Sequence, residues 1–369
     1  MGTIHQTKVP KIALFYDWLN QWGGAEKVLL DLIKIFPEAP VFTLVHNPKK
    51  TPWLPLQTKV VTSFINRLPF SKNNPLVYTP IYDIALEQFD FSQFDIVIAA
   101  TSTVGHCLLT LPQTMFVCYY YNTNRYLYET PKLYTLIKPL LKIYQHFDHI
   151  YSRRPDYSFC ISQTVKNRIQ KYFHLDASII YPGVDIGFFQ PSPHSTSDYF
   201  LIVSRLVPHK NIDLVIKTFN RLHLKLNIIG KGREASHLKK LAKNNPNIKF
   251  LGQLSNEQVL KNYQNCRALI CPQLEDFGLT PIEAQACGKP VIAFGHGGNT
   301  ETIIDGKTGI FFDKPTVSSL TNALYKFKAA KFDSNDCLQN AAKFSVKSFM
   351  LNFKQLVDNL WQQSKTTTS

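Results

Sequence analysis

Arg267-Ala268-Leu269-Ile270-Cys271-Pro272 leads directly into Gln273-Leu274-Glu275-Asp276-Phe277-Gly278-Leu279-Thr280-Pro281-Ile282-Glu283-Ala284. The first six residues form a short apolar run bounded by proline, the pattern of a buried strand. Thr280-Pro281-Ile282-Glu283 reads as a helix start, with Thr280 as N-cap, Pro281 at the first helical position and Glu283 three residues after the cap. A strand that hands over to a helix in so few residues is the unit of a parallel α/β sheet. Glu275 then stands on the connecting loop and Glu283 in the first helical turn. First-turn amides carry partial positive charge and receive phosphate. Two carboxylates flanking an anion site accept hydrogen bonds from sugar hydroxyls, so the segment points to a nucleotide-sugar site. Glu283 has a second explanation, because as half of a capping box it would contribute about 1 kcal/mol to the helix alone.

The same alternation extends in both directions. Upstream, strand patterns fall at 12–17, 41–45, 59–62, 95–100, 115–120, 157–161 and 178–181, with helical patterns at 25–36 and 163–173. Pro182-Gly183 is a turn signal, and the polar stretch 190–198 carries Pro191 and Pro193. Alternation then restarts at Tyr199 and runs to Phe312, and 345–361 has apolar residues at helical spacing. We therefore expect two doubly wound domains, residues 1–182 and 183–344, and a last helical segment, 345–369, that packs back on the first domain. Ligands of such sheets bind outside the carboxyl ends of the strands, so two such domains are expected to face a cleft.

A chain of 369 residues, 44% hydrophobic and 18% charged, is long enough for two cores. It has no apolar run of about 18 residues, and Met1 to Lys11 lacks the apolar stretch of a signal peptide. The seven cysteines show no CxxC spacing and mostly sit in apolar runs, which fits buried thiols in a reducing cytoplasm. Net charge is +15. It is densest from Lys132 to Lys171, where eight lysines and arginines face only Asp148 and Asp156. Lys132 to Phe147 mixes lysines with apolar and aromatic residues, as does a helix lying on an anionic membrane surface or an ordinary amphipathic helix with one solvated face. A nucleic-acid partner is not expected, because no recognised binding motif accompanies the charge.

Further motifs fall just after strand patterns. Gly23-Gly24-Ala25-Glu26 opens a helix after the first strand, and glycine there lets backbone approach a ligand or simply make a tight turn. Arg205 ends the first strand of the second domain, and Lys210 follows on a loop with Pro208 and Asn211. Two cations at a strand end neutralise a departing diphosphate, or are two solvated surface charges. Gly230-Lys231-Gly232 is too short for a Walker loop. Gly295-His296-Gly297-Gly298 reads as a turn that faces a ligand or only links two elements. Without an Asp-x-Asp triplet or a His/Cys cluster at metal spacing, we expect no metal, so the diphosphate is left to cations and helix ends.

These motifs, in this order, resemble the family 4 retaining glycosyltransferases of the GT-B fold, and the resemblance covers nearly the whole chain. Glu275-Asp276-Phe277-Gly278-Leu279-Thr280-Pro281-Ile282-Glu283-Ala284-Gln285-Ala286-Cys287-Gly288-Lys289-Pro290-Val291-Ile292-Ala293 carries it most specifically, supported by Tyr181 to Asp185 and by Ser204-Arg205-Leu206 with Lys210. Gly23 to Val28, Phe42 to His46 and Ala85 to Asp90 look like the bacterial O-antigen and exopolysaccharide mannosyltransferase branch. The resemblance implies that Glu275 binds sugar hydroxyls and helps stabilise the charged sugar, and that Glu283 binds the ribose. Backbone at Phe277, Gly278, Leu279 and Thr280 would hold sugar and phosphate. Arg205 and Lys210 would stabilise the leaving diphosphate, Gly24 would approach it from the first domain, and Gln253-Leu254 would meet the base.

One departure stands out. Relatives usually carry a His-Thr-Pro-like stretch after the fifth strand of the first domain, and this chain reads Tyr119-Tyr120-Tyr121-Asn122-Thr123. Tyr121 falls at the histidine position and donates a hydrogen bond through a phenol instead of an imidazole; His106, after the fourth strand, is the other candidate for that role. The implied activity is transfer of a hexose, the mannose of GDP-mannose, to a lipid-linked or glycan acceptor with retention of configuration. It would need no cofactor, and would take place in the cytoplasm or on the inner face of the plasma membrane. A nucleotide-sugar epimerase, a phosphorylase, or a catalytically weak nucleotide-sugar-binding protein are the other readings the fold allows.

Overall fold

Parallel pairing organises the two halves of the chain into separate sheets. The computed structural model describes residues 9–129, 138–193, 197–243 and 245–367, so residues 132–137 of the basic amphipathic stretch lie outside it. Two compact units emerge, one formed by residues up to Tyr181 and from Met350 onward, the other by Pro182–Phe349.

In the first unit the strands are β1 (Ile12–Leu19), β2 (Val41–His46), β3 (Val60–Thr62), β4 (Ile96–Thr101), β5 (Met115–Tyr120), β6 (Tyr157–Cys160) and β7 (Ser178–Ile179), in the spatial order β3-β2-β1-β4-β5-β6-β7. Leu14 of β1 is in register with Val41 of β2 on one side and Ile98 of β4 on the other. Every residue of β4 and β5 is buried. Their continuous apolar runs have this physical cause, since helices cover both faces of a parallel sheet. Those helices are α1 (Gly24–Ile35), α2 (Tyr82–Glu87), α3 (Arg125–Tyr128), α4 (Lys138–Tyr151) and α5 (Gln163–Phe173).

The second unit repeats the plan. Its strands are β8 (Tyr199–Val203), β9 (Lys225–Ile229), β10 (Ile248–Gly252), β11 (Ala268–Cys271), β12 (Val291–Phe294) and β13 (Gly309–Phe312), all parallel, ordered β10-β9-β8-β11-β12-β13. Its helices are α6 (Ile212–Leu222), α7 (Ala235–Leu241), α8 (Asn256–Asn265), α9 (Leu279–Ala286), α10 (Asn299–Thr302), α11 (Val317–Ala329) and α12 (Ser334–Ala342). Phe200 of β8, Phe219 of α6 and Phe327 of α11 meet edge to face at 5.4 and 5.8 Å in the core on one side of this sheet.

The last helix, α13 (Val346–Thr367), starts in the second unit and belongs to the first from Met350 onward. Phe353, fully buried, packs edge to face on Phe36 and Tyr119 within the first unit. Burying such a ring contributes about 1.5–3 kcal/mol, enough to fix the helix there. Among the described residues no helix is long and apolar enough to cross a membrane.

Candidate active site

In each sheet the strand order reverses once, between β1 and β4 and between β8 and β11. Loops leaving the carboxyl ends of the two strands at such a reversal part in opposite directions and open a crevice. In the second unit the loop after β8 carries Arg205 and Lys210, and the loop after β11 carries Gln273 and Glu275. Lys210 Nζ is 2.7 Å from Glu275 Oε1, and Gln273 Nε2 donates to the same oxygen. Asn211, in the left-handed region that asparagine tolerates, donates from its side chain to the Pro272 carbonyl and ties the two loops together. The Lys210 and Glu275 side chains are only 13% and 18% exposed. An ion pair this sheltered leaves a desolvated charge if one partner is removed. Arg205 itself is exposed on the same loop.

The start of α9 corrects the expected cap. The helix begins at Leu279, not Pro281, and its N-cap is Gly278 with φ 99°, a conformation that glycine adopts without strain and threonine does not. Pro281 is accepted in the first turn because amides there have no intrahelical acceptor. Thr280 is therefore inside the helix, and Glu283 is too far along to close a capping box. Its buried carboxylate instead accepts a hydrogen bond from Tyr263 Oη of α8 at 2.8 Å. Burial, reinforced by the Glu283 charge, pushes the Tyr263 phenol well above its ordinary range and keeps it a donor. Phe277 is buried, Gly278, Leu279 and Thr280 are half-buried, and Gln253 and Leu254 follow β10, with Gln253 exposed.

Two glycine-rich loops support this arrangement from behind. A Cβ at Gly230 would stand 1.9 Å from the Ser204 carbonyl oxygen, and one at Gly232 2.2 Å from that of Leu206. Backbone hydrogen bonds from Ser204 to Ile229 and from Leu206 to Lys231 seal the contact. The other loop meets the β11 side: Gly298 donates to the Glu275 carbonyl at 2.8 Å, and a Cβ there would strike the Phe277 backbone at 2.3 Å. Asn299, fully buried, donates to the carbonyls of Gln273 and Phe294. The sequence showed these glycines only as motifs that follow strands; their role in holding neighbouring loops is a tertiary feature without a local signal. Gln273 and Asn299 were missed for the same reason.

In the first unit Gly24 is exposed at the start of α1, and the adjacent Glu26 is buried. Glu26 accepts from Tyr16 Oη at 2.7 Å and from Gln21 Nε2 at 3.0 Å. Asp17, on β1, accepts from Thr101 Oγ1 and from the amides of Ser102 and Val104, fastening the loop after β4 to β1 across the reversal. Tyr121 is not on an open surface: it is 4% exposed, packed between Tyr16 and Tyr119, and its hydroxyl finds no partner among the described residues. Burial drives its phenol well above the ordinary range. His106 is no loop histidine either. It is 1% exposed, with Nε2 2.9 Å from Asp148 Oδ1, and the other Asp148 oxygen accepts from Tyr128. His106, Cys107 and Asp148 thus form a buried cluster that sequence spacing did not show, although its carboxylate is already held by two donors.

Residues 22–188 match the family model described as Glycosyltransferase Family 4, and residues 186–344 the model described as Glycosyl transferases group 1. An uncharacterised glycosyltransferase of Methanocaldococcus jannaschii is 30% identical over 54% of this chain and 55% of its own length. The alpha-1,3/1,6-mannosyltransferase ALG2 of Dictyostelium discoideum is 39% identical over 30% of this chain and 28% of its own. A GDP-mannose-dependent phosphatidylinositol monomannoside mannosyltransferase of Mycolicibacterium smegmatis is 28% identical over 44% and 50%. The chain thus spans about half or less of these curated relatives. Among solved structures, Anabaena HepE with UDP and glucose superposes with a TM-score of 0.72 at 19% identity, covering 95% of this chain and all of that one. Sucrose-phosphate synthase of Thermosynechococcus elongatus superposes with a TM-score of 0.79 at 17% identity, covering 96% and 100%. The fold is that of GT-B glycosyltransferases.

Proposed function

We propose that this chain, both halves of which match glycosyltransferase family models, is a retaining, metal-independent glycosyltransferase. It moves a hexose, the mannose of GDP-mannose, to a lipid-linked or polysaccharide acceptor in cell-surface glycan synthesis. The observation that carries this reading is the Lys210–Glu275 pair at the β8/β11 reversal, beside the first turn of α9. A diphosphate entering there meets Lys210, Arg205 and the α9 amides, and its arrival frees the Glu275 carboxylate for sugar hydroxyls. Positive charge held where the leaving phosphate gains negative charge lowers the barrier to sugar transfer. Glu283, with one oxygen on Tyr263, keeps acceptor capacity for a ribose hydroxyl.

In this reading the second unit binds the nucleotide sugar, with Gln253 and Leu254 at the base, and the first unit binds the acceptor. Gly24 gives a close backbone approach, and Tyr121, whose hydroxyl is buried in this structure, would serve the sugar only by turning its ring outward. The basic character of the first unit suits an anionic membrane face. Mannosyltransferases among the partial relatives support mannose as the donor sugar.

Incubation with labelled GDP-mannose, UDP-glucose and UDP-galactose in turn tests the proposal. Slow release of free sugar from one donor, and its transfer to a lipid extract with the anomeric configuration kept, is the expected result. Tight donor binding with neither reaction would favour a nucleotide-sugar-binding protein, and interconversion of the donor an epimerase.

A further inference from the structure

A cavity of about 550 Å³ lies within the first unit. Helix α4 contributes Lys142, His146 and His149 to its wall. Lys171, Tyr172 and His174 come from the end of α5. Tyr128 and Gln145 complete the lining, and no carboxylate belongs to it among the described residues. None of the five basic side chains makes an ion pair with a carboxylate among the described residues.

The walls are held in place by their own contacts. Tyr128 and Tyr172 stack with centroids 4.3 Å apart, and Gln145 donates to the Leu127 carbonyl. The Tyr128 hydroxyl is committed to Asp148 behind the wall, and burial with that charge keeps it protonated. His149 Nδ1 faces the Tyr172 carbonyl at 3.3 Å. In that contact Nδ1 donates to the carbonyl, and Nε2 lies on the other side of the ring. The α5 carbonyl end adds partial negative charge at one rim, which Lys171 offsets. Beside the cavity, α4 exposes Ile143, Phe147 and Ile150, one turn apart on a single face.

We propose that this cavity binds a phosphate group, and that the exposed α4 stripe adapts the site to a phosphate carried by a lipid. Lysine ammonium groups and histidine N–H donors converge on it from two helices, and the lysines form charge-assisted hydrogen bonds to phosphate oxygens. The apolar stripe lies where the hydrocarbon of such a headgroup would begin. The titratable groups facing the site are Lys142, His146 and His149 of α4, Lys171, Tyr172 and His174 at the end of α5, and Tyr128. The proposal does not rest on the transfer reading, because none of these residues is assigned a part in it.

Calorimetric titration of the full chain with inorganic phosphate, and flotation with phosphatidylcholine vesicles with and without phosphatidic acid, test it. Phosphate should bind the unaltered chain with saturation. Phosphatidic acid vesicles should retain the protein, and soluble phosphate should compete. Lys142→Ala with His149→Ala should weaken both by roughly tenfold or more. Ile143→Ser with Phe147→Ser should weaken only the vesicles. Phosphate binding without vesicle retention keeps the phosphate site and rejects the lipid source. Absence of phosphate binding, or binding unchanged in the Lys142/His149 variant, overturns the proposal.

Discussion

Lys210 Nζ and Glu275 Oε1 lie 2.7 Å apart although 65 positions separate them in the chain. Their loops follow β8 and β11, the strands on either side of the order reversal in the second sheet. The fold thus places a cation and a carboxylate in contact at the point where the sheet topology opens.

Glu275→Gln should lower kcat by about 10²–10³, the scale of a lost transition-state partner, and Lys210→Met by a similar factor. Both variants should keep the native circular dichroism spectrum. The pair should be energetically coupled by more than about 1 kcal/mol in a double-mutant cycle on urea stability. Additive stabilities would mean that the two charges do not depend on each other.

Tyr121→Phe separates packing from chemistry. The phenol oxygen is buried without a partner among the described residues, so its removal should raise stability, by about 1 kcal/mol on the scale of an unsatisfied buried polar group. As the proposed sugar-facing hydroxyl its loss should also lower kcat, with donor KM little changed. Higher stability with undiminished kcat would leave Tyr121 a core residue only.

The strand-to-helix grammar of the chain was legible because β4, β5 and β11 are continuous apolar runs, a pattern imposed by burial on both faces. The position of Glu275 on a loop was equally local. The start of α9 was not, because Thr280-Pro281 imitates a cap while the backbone φ of Gly278 decides where the helix begins. Tyr263, Gln273 and Asn299 reach Glu283, Glu275 and the site loops through tertiary contacts, which no spacing rule registers. The buried pairing of His106 was hidden for the same reason: its partner Asp148 lies 42 positions away.

Gly230→Ala should destabilise far more than Gly306→Ala. Both glycines have positive φ, which costs an L-residue roughly 1–2 kcal/mol. Around Gly306 there is open space, whereas at Gly230 the added Cβ would stand 1.9 Å from the Ser204 carbonyl oxygen. Urea midpoints at equal m-value should therefore differ by an additional ~2 kcal/mol or more, and Gly230→Ala should raise donor KM through displacement of Arg205. Equal midpoints would refute the contact.

The buried thiols predict an alkaline limit. Burial pushes Cys266, Cys271 and Cys337 up to about 12 from an ordinary value of 9.0. The folded chain keeps these thiols neutral where the unfolded chain ionises them. Their stabilising contribution is complete below about pH 9 and is lost as pH rises toward 12, at roughly 1.4 kcal/mol per thiol per pH unit. Urea midpoints measured between these limits should fall accordingly. A thiol reagent at about pH 8 should label the cysteines only after denaturation.

The glycine contacts beneath Arg205 and Glu275 join main chain to main chain. Such a joint ignores the chemistry of the side chains beside it, so Lys231 and His296 on the supporting loops can change without shifting the groups above. A lineage built on this frame is free to retune which sugar or base it accepts by drift at those neighbouring positions. The glycines themselves are the part of the site with the least latitude, although they touch no substrate atom through a side chain.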